Sequence, residues 1–112
     1  MGRVRDRATF EALRREGRRV RRGPVTVVFA ATAPEAGIRV AYGTPRRIGT
    51  AVTRNRVRRR LRSAVRELAA EGTLSRPGAY LVTVAPDAVG LRYGELRAWV
   101  GEAVGALAME RS

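Results

Sequence analysis

The sequence contains no cysteine, no histidine and no lysine. Without Cys and His the chain can form no disulfide, and it lacks the thiolate and imidazole groups of most zinc sites and nucleophile–base pairs. Its ten carboxylates are scattered, with no paired spacing that would suggest a two-metal nuclease centre. We therefore expect no catalytic residue and no metal site in this chain.

Long hydrophobic runs are also missing. No segment approaches the ~20 consecutive apolar residues that a membrane-spanning helix needs, and no apolar run follows the charges at the N-terminus, as it would in a secretory signal. These features predict a cytoplasmic protein. The chain has 112 residues, of which 45% are hydrophobic, so residues 1–112 are expected to form one domain with its own core.

Positive charge dominates the composition. All 23 basic residues are Arg, and with ten acidic residues they give a net charge of +13. The guanidinium group pairs bidentately with phosphate and stacks on bases, so the composition favours a polyanionic partner. A membrane surface is the competing polyanion, but the most Arg-rich segment lacks the bulky aromatic side chains of an interfacial helix. We expect a nucleic acid, and neither a membrane nor a small-molecule substrate.

The order of predicted elements is helix, strands, helix, strand, helix. Helices are predicted over residues 5–16, from 50–53 to about 71, and over 93–109, with Gly72 ending the second. Strands are predicted over residues 25–31, 38–43 and 79–85, and a hairpin is the simplest pairing of the first two. The pattern indicates an α+β domain in which helices pack on one small sheet.

The second helix is the most informative segment. Helical periodicity places five apolar residues in one stripe: Val57, Leu61, Ala64, Val65 and Leu68. Four polar residues gather on the opposite side: Asn55, Arg59, Arg62 and Arg66. The remaining Arg residues lie at the flanks (Arg56, Arg58, Arg60) or nearer the apolar stripe (Arg54). Such crowding of like charges destabilises an isolated helix, so we interpret the cationic side as a binding surface for nucleic acid and not as a merely solvated face.

The run from Ile48 to Arg62 resembles the signature of the protein subunit of bacterial ribonuclease P. It reads Gly-x-Ala-Val-x-Arg-Asn-Arg-Val-x-Arg-Arg-Leu-Arg from Gly49, with the basic pair Arg46 and Arg47 ahead of it. The similarity extends over nearly the whole chain, through a first helix with Phe10, a Gly and basic stretch, a late strand and a closing helix.

The resemblance implies a two-layer α-β sandwich with a small sheet and three helices, like the second domain of the fifth small-subunit ribosomal protein, with an unusual left-handed crossover. It also implies an accessory subunit of an endoribonuclease. The catalytic RNA would perform the hydrolysis with magnesium that the RNA mainly holds, and the protein alone would be inactive. The protein would bind that RNA and the 5′ leader of precursor tRNA and so assist formation of the mature 5′ end.

Carried over position by position, the resemblance assigns ten residues to contact with the catalytic RNA: Arg46, Arg47, Arg54, Asn55, Arg56, Arg58, Arg59, Arg60, Arg62 and Arg66. It places the leader in a cleft between the sheet and the first helix, with Phe10 and Tyr42 as aromatic candidates. The family often has a second Phe four residues after the first, and that position is Arg14 here. Arg14 is therefore a third candidate, and the cleft would bind the leader less through aromatic stacking and more through pairing with its guanidinium. Phe10 is equally well interpreted as a core residue beside Leu13.

Other classes of protein share some of these features. A ribosomal or other structural RNA-binding protein would have the same basicity, size and fold, but the Arg-Asn-Arg signature favours the ribonuclease P subunit. A DNA-binding regulator is disfavoured because no two short helices are joined by a tight turn. A catalytic nuclease would need acidic or His residues that the chain does not supply.

Overall fold

Five strands and three α-helices make up residues 1–110, the part of the chain that the computed structural model describes. The strands are β1 (Gly2–Arg3), β2 (Arg18–Arg22), β3 (Val25–Ala30), β4 (Ile38–Gly43) and β5 (Gly78–Val84). The helices are α1 (Arg7–Glu16), α2 (Ala51–Ala70) and α3 (Tyr93–Glu110). The three predicted helices and three predicted strands are confirmed, with ends shifted by a few residues.

The strand order across the sheet is β1-β4-β5-β3-β2. Strands β4 and β5 are neighbouring and parallel, joined by a crossover through α2, whereas β3 runs antiparallel to β5. The predicted hairpin of β3 with β4 is therefore wrong, because β5 lies between them. The composition of β5 explains its central place: five of its seven residues are buried, which suits a strand covered on both faces.

The hairpin is formed instead by β2 and β3, whose register runs from Arg18 opposite Phe29 to Arg22 opposite Val25. Sequence reasoning missed β2 because four of its five residues are Arg, and only Val20 is buried. The connecting turn places Gly23 at φ +56°, where a Cβ atom would lie 2.6 Å from the indole of Trp99 in α3. Glycine is thus required there both by backbone conformation and by close packing.

Helices lie on both faces of the sheet. The main core joins one face to α2 and α3, through residues such as Val27, Tyr80, Leu61 and Val100. On the opposite face α1 covers a smaller apolar cluster: Val4, Leu13, Val28, Ala30 and Ala79. The predicted α+β architecture, three helices on one small sheet, is confirmed.

Local signals in the sequence explain the helix ends. The Asp6 carboxylate caps α1 by accepting from the Thr9 backbone N–H at 3.0 Å. Hydrogen bonds from the Thr9 hydroxyl and from this N–H lower the pKa of Asp6. The Thr50 hydroxyl caps α2 by accepting from the Thr53 N–H at 3.2 Å. Gly72, at φ +87°, follows the last residues of α2 and ends it, as predicted.

A Gly23→Ala substitution should lower the free energy of unfolding. An L-residue at this φ costs roughly 1–2 kcal/mol, and the new methyl group must also displace Trp99. Urea unfolding of the full chain measures the change. The matched control is Gly105→Ala, inside α3 with open space around it, where alanine should stabilise by up to about 1 kcal/mol. Equal stability of the parent and the Gly23 variant would contradict this packing.

Candidate nucleic-acid interface

One side of α2 forms a continuous polar surface, which we call the α2 cationic face. Its members recur at helical spacing and lie along one side of the helix: Asn55, Arg58, Arg59, Arg62 and Arg66. The opposite stripe is buried against the sheet and α3, as the sequence predicted. Burial of that stripe fixes which side of the helix faces solvent, and so it orients the arginines.

Within this face Arg58 holds a fixed position. Its guanidinium donates to the Asn55 side-chain oxygen at 2.8 Å and to the Thr44 hydroxyl at 2.5 Å. The second bond joins α2 to the end of β4, and Thr44 is itself buried. Sequence reasoning placed Arg58 at the flank of the helix, but these contacts make it part of the cationic face.

A cleft with a volume of about 600 Å³ opens between the N-terminal segment, β4 and α2. We call it the N-terminal cleft. Its basic and aromatic lining comes from three elements: Arg3, Arg5, Tyr42, Arg58, Arg62 and Arg66. Among the described residues no carboxylate lines it. A concave surface with five guanidinium groups concentrates positive potential and suits a phosphate backbone.

Tyr42 forms the aromatic part of this cleft. The guanidinium of Arg62 lies over its ring, 5.8 Å from the ring centroid, in a cation–π contact. Burial raises the pKa of Tyr42 above its ordinary value, and the nearby charges of Arg62 and Arg66 partly oppose that rise. The ring is half-buried, so it retains an edge on the cleft.

Arg3 and Arg5 were not predicted as site residues. A backbone hydrogen bond from Val4 to the Val40 carbonyl (3.3 Å) and the short pairing of β1 with β4 bring them to the cleft. A two-residue strand is too short to be detected by periodicity. The available signal was the alternation of Arg3 and Arg5 around a buried Val4.

The other predicted RNA-contacting residues have different surroundings. Arg46 and Arg47 are exposed in a short 3-10 turn that Ile48 anchors in the core just before α2. Arg56 is exposed, whereas Arg60 donates to the Leu91 carbonyl at 3.1 Å and thereby ties α2 to the segment before α3. Arg54 is half-buried, and its Nε has no hydrogen-bond partner among the described residues.

Two carboxylates at the C-terminal end of α2, Glu67 and the capping residue Glu71, are held away from this surface. Arg97 of α3 pairs with Glu67 at 2.7 Å and also with Glu71. These contacts raise the pKa of Arg97 and neutralise the acidic end of α2 on the side that faces α3. The α2 cationic face therefore keeps its full positive charge.

Phe10 and Arg14 lie on α1, on the other face of the sheet. Phe10 is 36% exposed and Arg14 is exposed, whereas Leu13 fills the small core beneath the helix. Tyr42 packs with the core on the α2 side, because alternate residues of β4 point to opposite faces and Ala41 belongs to the α1 side. The expectation that Phe10 and Tyr42 line one cleft is therefore wrong.

No helix among the described residues is long and apolar enough to span a membrane. Within residues 1–110 no three His, Cys, Asp or Glu side chains come together in a way that could hold a metal ion.

Solved structures show the same fold as this chain. The RNase P protein from Thermotoga maritima superimposes with a TM-score of 0.81 over 95% of this chain and 97% of its own, at 18% identity. An RNase P protein from Staphylococcus aureus gives a TM-score of 0.78 over 99% and 96%, at 16% identity. At these identities the likeness shows a shared fold.

Sequence similarity shows the family to which the chain belongs. The family model for ribonuclease P matches residues 2–107. The ribonuclease P protein component of Thermobifida fusca is 34% identical over 97% of this chain and 78% of its own length, and that of Symbiobacterium thermophilum is 35% identical over 89% and 85%. The chain belongs to the ribonuclease P protein component family.

The raised pKa of Tyr42 predicts a loss of stability in alkaline solution. Above about pH 10 the unfolded chain ionises its tyrosines, whereas burial keeps Tyr42 protonated in the fold. The free energy of unfolding should therefore fall as the pH rises past this value and level off above the folded pKa. Burial also raises the pKa values of Tyr80 and Tyr93, so a Tyr42→Phe variant should lose less stability, though not none. Urea unfolding between pH 8 and 11 measures both proteins, and identical pH dependence would contradict the assignment.

Proposed function

We propose that this chain is the protein subunit of a bacterial ribonuclease P. It binds the catalytic RNA and the 5′ leader of precursor tRNA, and it assists endonucleolytic removal of the leader. The observation that carries the proposal is the α2 cationic face, which continues from the Arg-Asn-Arg segment (residues 54–56) of a chain in this family. The hydrolysis belongs to the RNA subunit, and the protein alone does not cut.

The α2 cationic face and the N-terminal cleft are the surfaces proposed for the catalytic RNA. Arg59 and Arg66 are exposed, whereas Arg58 and Arg62 are half-buried at the border between the cleft and a groove on the outer side of α2. Arg58 and Arg62 are held by Asn55 and Tyr42, so they lose little freedom on binding. Arg46 and Arg47 extend the positive surface toward the start of the helix.

The exposed ring of Phe10 remains the candidate for stacking on a leader base, with Arg14 beside it on α1. Stacking on an unpaired base is worth about 1–3 kcal/mol and tolerates any base, which suits a leader of variable sequence. Tyr42 lies on the other face of the sheet, so we propose it as a contact of the catalytic RNA instead.

Magnesium would be held mainly by the RNA. The positive surface of the protein attracts phosphate and repels divalent cations, and the carboxylates nearest to it, Glu67 and Glu71, pair with Arg97. Neutralised phosphates let the RNA fold and bind substrate at lower magnesium concentration. We place the complex in the cytoplasm.

Cleavage of precursor tRNA by a bacterial ribonuclease P RNA at low magnesium tests the proposal. The chain should stimulate cleavage at the mature 5′ end and should give no product without the RNA. An Arg59→Gln/Arg66→Gln variant should bind the RNA more weakly, with the slope of log affinity against log salt reduced by about 1.4–1.8 for two lost phosphate contacts.

The control for that variant is Arg92→Gln, an exposed arginine just before α3, which should leave affinity and cleavage nearly unchanged. Tight RNA binding without stimulation would instead favour a ribosomal or general RNA-binding protein. An unchanged salt slope in the double variant would show that the α2 cationic face does not meet phosphate.

A Phe10→Ala variant tests the leader contact. Loss of one stacked base predicts an affinity for precursor tRNA that falls by about 5- to 150-fold, with little change for mature tRNA. Binding of the two tRNAs to the assembled complex measures this difference. A drop in thermal stability with equal losses for both tRNAs would show that Phe10 supports the fold and does not contact the leader.

A further inference from the structure

Strand β2 forms a second concentration of arginine that the function above does not use. Its five residues, Arg-Arg-Val-Arg-Arg, occupy the edge of the sheet, and all four Arg side chains are exposed. Arg19 and Arg21 point to the α1 side, because their register partners Val28 and Thr26 alternate with the main-core residues Val25 and Val27. Alternate residues of a strand lie about 6.7 Å apart, so these two side chains leave the same face of the edge from neighbouring positions.

The edge is held in place by its surroundings. The β2–β3 turn packs on Trp99 through Gly23, and Val20 enters the main core. The Arg21 Nε donates to the Gly23 carbonyl at 3.2 Å, which uses only one of the five donors of this exposed guanidinium. Among the side chains of residues 1–109, no carboxylate forms an ion pair with Arg19 or Arg21.

Protection of the sheet edge is the simpler explanation of charge at this place. Charged side chains on an edge strand prevent pairing with another chain. One or two charges are enough for that purpose, whereas four of the five residues of β2 are Arg in a chain that already carries a net charge of +13. Further repulsion of this kind is better explained by a ligand that neutralises it.

This edge and the N-terminal cleft lie on opposite sides of the molecule. The cleft adjoins β1 and β4, and β2 ends the sheet four strand positions away from β1. Neighbouring strands are about 4.8 Å apart, so β1 and β2 are separated by about 19 Å. The α2 cationic face lies on the opposite face of the sheet from Arg19 and Arg21.

We propose that Arg19 and Arg21 form a second phosphate-binding surface, which holds the backbone of an RNA duplex while the α2 cationic face binds a separate RNA segment. Strand β2 carries no aromatic residue, so it offers arginine forks for phosphate and no platform for stacking unpaired bases. The inference rests on the proposed function only in taking RNA as the ligand. It makes the chain a bridge between two RNA segments.

Hydroxyl-radical footprinting of the complex with ribonuclease P RNA and precursor tRNA tests the bridge, with each RNA end-labelled in turn to identify the source of the duplex. An Arg19→Gln/Arg21→Gln variant should lose protection over one double-stranded segment and keep the rest of the footprint. The Arg59→Gln/Arg66→Gln variant, with the same change of charge, should lose a different segment. The salt slope should fall by about 1.4–1.8 in each, and Arg92→Gln again serves as the control.

The possible outcomes separate this inference from the proposed function. Absence of any protection by the parent chain would overturn both. A parent footprint that the β2 variant leaves unchanged would overturn the second surface alone, and self-association of that variant in sedimentation would then assign β2 to edge protection. Loss of the same segment in both variants, or loss confined to single-stranded RNA, would also overturn the duplex-binding surface. A melting temperature equal to that of the parent verifies that the β2 variant is folded.

Discussion

Burial of one stripe of α2 is the interaction on which the cationic surface depends. Six pairs of Arg in this helix are spaced three or four residues apart, and at a few tenths of a kcal/mol each their repulsion costs about 1–3 kcal/mol. Burying a single Val or Leu side chain stabilises by about 1.5–3 kcal/mol. Val57, Leu61, Val65 and Leu68 are all buried, so the apolar stripe outweighs the repulsion and keeps the helix formed without a ligand.

The distribution of negative charge complements this arrangement. Glu67 and Glu71 would weaken a phosphate-binding surface if their carboxylates turned toward Arg66. Arg97 holds both of them on the α3 side of the helix. These ion pairs therefore link α3 to the end of α2 and also keep the negative charges away from the arginines of the α2 cationic face. Asp6 caps α1 and has its own local hydrogen bonds. These three acidic residues thus serve helix ends and helix packing.

The crossover from β4 to β5 organises the rest of the site. Because these strands are parallel neighbours, α2 must cross the sheet between them, and its start is held near the end of β4 by the bond from Arg58 to Thr44. The same strand carries Tyr42 toward Arg62 and pairs at its outer edge with β1, which brings Arg3 and Arg5 to the cleft. A binding surface of three distant chain segments therefore follows from one topological feature.

Local patterns in the sequence were sufficient to predict the helices, their ends and the cationic side of α2, because caps, glycine terminators and helical periodicity act over a few residues. The largely apolar composition of residues 79–85 indicated a buried strand, but neither the central place of β5 nor its neighbours could be predicted. Strand pairing depends on contacts between residues far apart in the chain, so the order β1-β4-β5-β3-β2, the Arg-rich β2 and the short β1 needed the tertiary structure. The tertiary structure also decided which face of the sheet each aromatic candidate occupies. Phe10 lies on α1, which covers one face, whereas the alternation of residues in β4 directs Tyr42 to the opposite face, where α2 packs.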